Sequence, residues 1–284
     1  MKETFLQHNI PMRNIIGYSS DTTNVMFGQY NSVSQLLKSE FSYVQLVKCS
    51  CHLIHLVSSH AALKLPKGVE DLCRDVYAHF SRSSKRQDVY KEFQAFFNAQ
   101  PLKILSPAHT RWLSLQECVN RLLEQFEALT RYFTLTANED PSHSNDRILA
   151  SLQNRFTQAY LEFLSYQLER LNAFNRLFQS ERPLLHMLKP EIESLIKSIA
   201  CDFMKIDIVK STSPNKLNPT DVNQHVPLSE TYVGLGATAT IHEIASVAGK
   251  ADVDNFLTTC KNFLIESILQ IQSRFDLDDP LKIR

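Results

Sequence analysis

Asp21 closes the run Asn14-Ile15-Ile16-Gly17-Tyr18-Ser19-Ser20-Asp21 and is the first residue whose type and place suggest chemistry. A carboxylate at the C-terminal end of a β-strand is where α/β enzymes hold a metal ion or substrate. The same Asp stands in a Ser-Ser-Asp-Thr-Thr-Asn run that makes a good turn or helix N-cap, and on residue type alone this structural role is the better supported. A two-metal phosphodiester site needs several carboxylates around ions ~4 Å apart, because each cation must be neutralised while still binding phosphate oxygens. One acid does not meet that requirement.

Cys49, Cys51, His52 and His55 offer a second possibility, four zinc-ligand types within a few residues. Zinc ligands ordinarily come as two pairs separated by a longer loop, which lets four side chains surround the ion. In a helix beginning near residue 51, His52 and His55 would share a face while Cys51 points elsewhere. A packed, hydrogen-bonded strand-to-helix turn is the expectation here, and no metal ion. The lone tryptophan, Trp112, follows Arg111 at the start of an expected helix. An Arg-Trp pair can stack on a nucleic-acid base, but a single Trp at a helix start is more often a packing anchor. Glu191/Glu193 and Asp276/Asp278/Asp279 read as solvated helix ends.

The elements that would carry these residues follow from periodicity. Pro11 leads into an extended segment over 13–19; 31–41 is a capped amphipathic helix with Leu36, Leu37 and Phe41; 43–49 is a second strand. Strand, helix and strand joined this closely make a βαβ unit of two parallel strands, which brings Asp21 and Cys49 to the same edge. Beyond it the chain reads as helical: 50–65 ended by Pro66 and Gly68, then 69–81, 86–98, one long helix opening at 110–114, two or more helices over 147–180 and 182–208, and a last one over 251–275. Residues 211–227 carry three prolines and no apolar period, predicting a loop or a partly disordered crossing. The expected division is 1–65 and 66–284.

Composition narrows the classes. The 284 residues contain 30 Lys+Arg against 30 Asp+Glu, so no global positive charge marks a nucleic-acid binder. Only 6 glycines argue against a chain built from tight turns and sheets. Six scattered cysteines without an N-terminal apolar segment favour a reducing compartment, and no apolar run approaches the ~18 residues of a membrane span.

Taken in order, Gly17-Tyr18-Ser19-Ser20-Asp21 with Asn24-Val25-Met26-Phe27-Gly28, the Cys49-Ser50-Cys51-His52 turn, Thr110-Arg111-Trp112-Leu113-Ser114, and Cys260-Lys261-Asn262-Phe263-Leu264 through Arg274-Phe275 resemble the hAT superfamily of DNA transposases. The likeness is to its domesticated, zinc-finger-BED-like relatives and runs through nearly the whole chain. It implies a mainly α fold: a truncated ribonuclease-H-like α/β remnant with two parallel strands, then a large helical insertion domain. Asp21 would stand as the second of three metal-binding acids, the first and third lying beyond the two ends of this sequence. Cys49, His52, Arg111 and Trp112 would be structural motif positions. The resemblance implies a nuclear, transposase-derived protein that is not an enzyme and acts through protein partners, self-association or weak nucleic-acid contact. The alternative is an excerpt of an active transposase, for which Mg or Mn would be the cofactor.

Overall fold

The computed structural model describes residues 2–106, 115–136 and 142–278. The fold is mainly helical with one two-stranded parallel sheet, and it divides into two compact units, one up to Ile54 and the other from His55 onward.

In the first unit, β1 (Gly17–Ser20) pairs with β2 (Gln45–Lys48) in the register Gly17↔Gln45 to Ser20↔Lys48. The strands are shorter than the 13–19 and 43–49 expected from sequence. Met12–Asn14 forms a 3-10 turn instead of extended chain, after a short helix α1 (Lys2–Gln7). Between the strands lie a single turn, α2 (Asn24–Phe27), and α3 (Val33–Glu40). Ser32 caps α3 by accepting the Gln35 N–H, and Leu37 is buried while Leu36 is exposed, so only one of the two leucines serves the core. Helix α4 (Ser50–Ala62) follows β2 directly.

The second unit is a stack of helices. After Pro66, α5 (Lys67–Ser81) buries Val69, Leu72, Cys73, Val76 and Phe80 along one stripe. It is followed by α6 (Ser84–Phe96), α7 (Leu115–Glu124), α8 (Phe126–Thr136), α9 (His143–Gln153) and α10 (Thr157–Phe178). The long helix expected from 110 onward is two, because Gln125 is buried between them. Its side-chain carbonyl accepts from Tyr90 and Gln94, and its amide donates to the Gln100 carbonyl, ties that an uninterrupted helix is not needed to provide. His79 joins the same region, one ring nitrogen 2.9 Å from Asn145 Oδ1 and the other 3.1 Å from the Tyr132 hydroxyl.

Helix α10 packs on α7 and on α13 (Leu235–Ile244), while α11 (Leu188–Ala200) packs on α14 (Lys250–Arg274). Phe163 and Phe263 meet edge to face at 5.3 Å in the centre of this layer. A short helix α12 (Ile206–Ser211) leads into 211–227. That segment is a loop, as its prolines foretold, but it is pinned down and not a disordered crossing. Gln272 donates to the carbonyls of Pro214 (2.8 Å) and Leu217 (2.9 Å), His225 bonds the Pro219 carbonyl, and Lys205 N–H bonds the Gln224 carbonyl. Prolines remove donors and helix, but they leave carbonyls that a neighbouring amide can hold. Helix α13 has no counterpart among the sequence expectations. It starts at Gly234, whose φ of 91° and approach to the Tyr166 ring, 3.0 Å from where a Cβ would stand, both require glycine.

Candidate functional site

The edge of the small sheet gathers most of the sequence-flagged residues. Ser20 and Lys48 are register partners and the Cys49 N–H donates to the Ser20 carbonyl at 2.8 Å, so Asp21 and Cys49 leave the two strands side by side. That juxtaposition follows from parallel strands, which present their C-terminal ends at one edge.

Asp21 is held locally. Its Oδ1 accepts the Thr23 N–H at 3.1 Å and the Thr23 hydroxyl at 2.7 Å, an Asx-type turn that launches α2. Those bonds, the hydroxyl's first, keep its carboxyl below the usual carboxylate range, with the nearby His52 adding a smaller push in the same direction. The rest of the quoted motif folds back over the strand. Tyr18 donates to Met26 Sδ at 3.1 Å and stacks on Phe27 at 5.7 Å, and a Cβ on Gly28 would collide with the Asn24 carbonyl. The stretch 18–28 is thus a self-contained turn, with Asp21 at its pivot.

Cys49 occupies the cap of α4: its carbonyl accepts the Leu53 N–H at 3.0 Å, the first bond of the helix. Its sulfur accepts the Cys51 thiol and the backbone N–H groups of His52 and Cys51, the place that a serine or aspartate oxygen takes in an ordinary N-cap. A thiolate there is favoured by the hydrogen bonds and by the positive end of the helix dipole. The Cys51 hydrogen bond contributes most, and the Cys49 thiol falls to about 5. The same contact drives the Cys51 thiol up, since its proton is the one shared. Both side chains are partly exposed and free of disulfide.

These four residues, Asp21, Cys49, Cys51 and His52, are brought together; His55 follows on the next turn of α4, where its carbonyl accepts the Ser58 and Ser59 hydroxyls at 2.9 Å. The polarised thiol pair is what the sequence reading missed, having taken the turn as packing alone. The signal was a cysteine at the residue where strand gives way to helix, the one place where a thiol can meet unpaired N–H groups. Arg111 and Trp112 lie outside the described residues. Among the described residues, no group of three or more His, Cys, Asp and Glu side chains is arranged to hold a metal ion, and no helix is long and apolar enough to cross a membrane.

The second unit adds two surface features. A recess of about 450 Å³ lies over α5 and α6 against residues 101–104, with Tyr77, Gln87, Lys91 and Lys103 on its walls. A shallower dish of about 490 Å³ is made by Phe93, Phe96, Phe97 and Leu135 with Glu92 and Arg131 at its rim, and Phe96 is 79% exposed. No family model matches the chain, and no curated protein or solved structure matches it either.

Proposed function

We propose that this chain is a transposase-derived protein of the hAT type that does not cleave DNA and works by binding, protein contact being its main mode, in the nucleus. The observation that carries this reading is the state of Asp21. The oxygen that would face a metal ion is engaged by both donors of Thr23, so the carboxylate serves a turn. Its neighbours at the sheet edge are two thiols and an imidazole. A hard divalent cation such as magnesium prefers oxygen ligands and keeps its waters.

Protein contact is supported by apolar side chains left on the surface of each unit: Ile16, Val25 and Tyr30 in the first, Phe96 and Leu135 in the second. The ribonuclease-H-like remnant and the helical insertion domain of the resemblance are the frame in which these surfaces would act. The two-stranded sheet of the first unit and the helical second unit are compatible with it.

The test is a supercoiled-plasmid and hairpin-end cleavage assay in manganese, wild type beside Asp21→Ala, with sedimentation of the same preparations. The expected result is no cleavage by either protein and concentration-dependent self-association or co-sedimentation with a partner. Cleavage by wild type that Asp21→Ala abolishes would return the chain to an excerpt of an active transposase.

A further inference from the structure

The sheet edge holds two cysteines in mutual contact, and nothing in the proposed binding role uses them. We propose that Cys49 and Cys51 form a reversible dithiol switch, Cys49 attacking a low-molecular-weight disulfide and Cys51 resolving the product into a Cys49–Cys51 disulfide.

Three features of the geometry converge on this. The two sulfurs already touch, the Cys51 thiol donating to Cys49 Sγ, so the second step needs no large movement of chain. Both side chains are partly exposed, unlike Cys73, Cys118 and Cys260, which are buried. The cap position gives Cys49 the N–H groups that stabilise its thiolate, and only the thiolate attacks a disulfide. The exposed Cys201 has the access without the activation, since partial burial and the adjacent Asp202 push its thiol up.

The chemistry balances as two exchanges. The Cys49 thiolate attacks one sulfur of R–S–S–R, forming Cys49–S–S–R and expelling R–S⁻. Cys51 then loses its proton to the expelled thiolate or to solvent and attacks Cys49 Sγ, forming the intramolecular disulfide and releasing the second R–S⁻. The protein dithiol is oxidised by two electrons and the small disulfide is reduced to two thiols. The resolving step is helped by the first: once Cys49 carries no negative charge, the main cause that raises Cys51 is gone. The new bond also removes the sulfur from the N–H groups of Cys51 and His52, so the start of α4 and the His52 beside Asp21 lose a tie. Oxidation would loosen the sheet edge, and reduction would restore it.

The test uses the full chain. Lys48 and Lys64 bracket a tryptic peptide holding Cys49 and Cys51 and no other cysteine. First, iodoacetamide labelling at about pH 5.5 compares Cys49 with Cys201. Against an unperturbed thiol, the Cys49 thiolate fraction is about 700-fold larger and its intrinsic nucleophilicity about 40-fold lower, leaving a net advantage of about 20-fold. Second, oxidised glutathione is added to wild type, Cys49→Ser and Cys51→Ser, each first shown by circular dichroism to keep its helices. Serine is itself a good N-cap, so Cys49→Ser should fold. Wild type should yield the peptide two hydrogens lighter, Cys51→Ser should accumulate the glutathione adduct on Cys49, and Cys49→Ser should give neither. Labelling of Cys201 ahead of Cys49, or a glutathione adduct that persists on Cys49 in wild type as in Cys51→Ser, would overturn the switch and leave the pair as a cap.

Discussion

The two units solve the same problem with different means. From His55 onward, burial is long-range and apolar: Phe163, Phe256, Phe263, Leu264 and Ile268, drawn from α10 and α14, are all but inaccessible to solvent. Up to Ile54, few apolar side chains are buried, and order comes from short-range polar ties: Thr23 to Asp21, Ser32 to the α3 N-terminus, Tyr43 to the Arg13 carbonyl at 2.6 Å, Lys38 to the Val44 carbonyl at 3.0 Å. A two-stranded sheet is at best marginal in water, and each such hydrogen bond contributes only about 0.5–1.5 kcal/mol net. The lesson is that the chemistry-bearing residues sit on the less stable of the two supports. A site that needs rigid preorganisation is poorly placed there, whereas one that is meant to respond to a binding partner or to oxidation is well placed.

The largest effect that would expose this contrast is a cavity in the helical core. Phe163→Ala removes a fully buried ring against Phe263 and should cost about 3–5 kcal/mol, moving the main thermal transition down by roughly 10 °C. Leu37→Ala in the first unit should leave that transition in place while loosening its own unit. Equal shifts for both variants would mean that the two units melt as one and that the contrast is wrong.

Next in size is the difference in local opening. Amides of β1 and β2 should exchange with solvent deuterium roughly 100-fold faster than those in the middle of α10 and α14, because opening the sheet uncovers little apolar surface. Comparable protection in the strands and in these helices would show that the first unit holds itself far better than its burial suggests.

How much of this was legible in the sequence follows the same division. The spacing of Phe256, Cys260, Phe263, Leu264, Ile268 and Ile271 marks the buried face of α14, since an apolar stripe is a local pattern that tertiary packing merely uses. The parallel pairing that places Asp21 beside Cys49 was equally readable, as a strand-helix-strand sequence admits few other arrangements. What could not be read depended on contacts distant in sequence. Gln125 breaks α7 from α8 because Tyr90, Gln94 and Gln100 hold it, and the Pro214–Pro219 segment is tied by Gln272. Helix α13 hid in Leu-Gly-Ala-Thr-Ala-Thr, a run of small and β-branched residues with low helix propensity, and it exists by packing on α10. At the site, residue types were visible but the polarity of the thiol pair was not, because it turns on which residue becomes the cap.

A smaller effect tests that helix directly. Gly234→Ala places a Cβ against the Tyr166 ring in a left-handed backbone, and should destabilise the second unit by about 1–3 kcal/mol, read as a shift of its denaturant midpoint. The first unit's exchange rates should not change. An unaltered midpoint would mean that α13 is dispensable to the core.

The smallest effect bears on the proposed role of Asp21. Its folded carboxyl lies below the ordinary value because Thr23 bonds the ionised form. The contribution is therefore present above the unfolded pKa and is lost as pH falls through the lower, folded value, so the turn at 21–23 should open only in acid. Carbon-detected NMR of the Asp21 carboxyl should show a titration below that of an unperturbed aspartate, and Thr23→Val should return it upward by removing the hydroxyl, the larger of the two bonds' effects. If Asp21 serves the turn, added magnesium should leave this titration where it is in both proteins, because the cation would have to displace two donors to reach Oδ1. A magnesium-dependent drop in the wild-type titration, enlarged in Thr23→Val, would mean that the threonine competes with a metal ion for this carboxylate, and the sheet edge would then have to be read as a site waiting for its remaining acids.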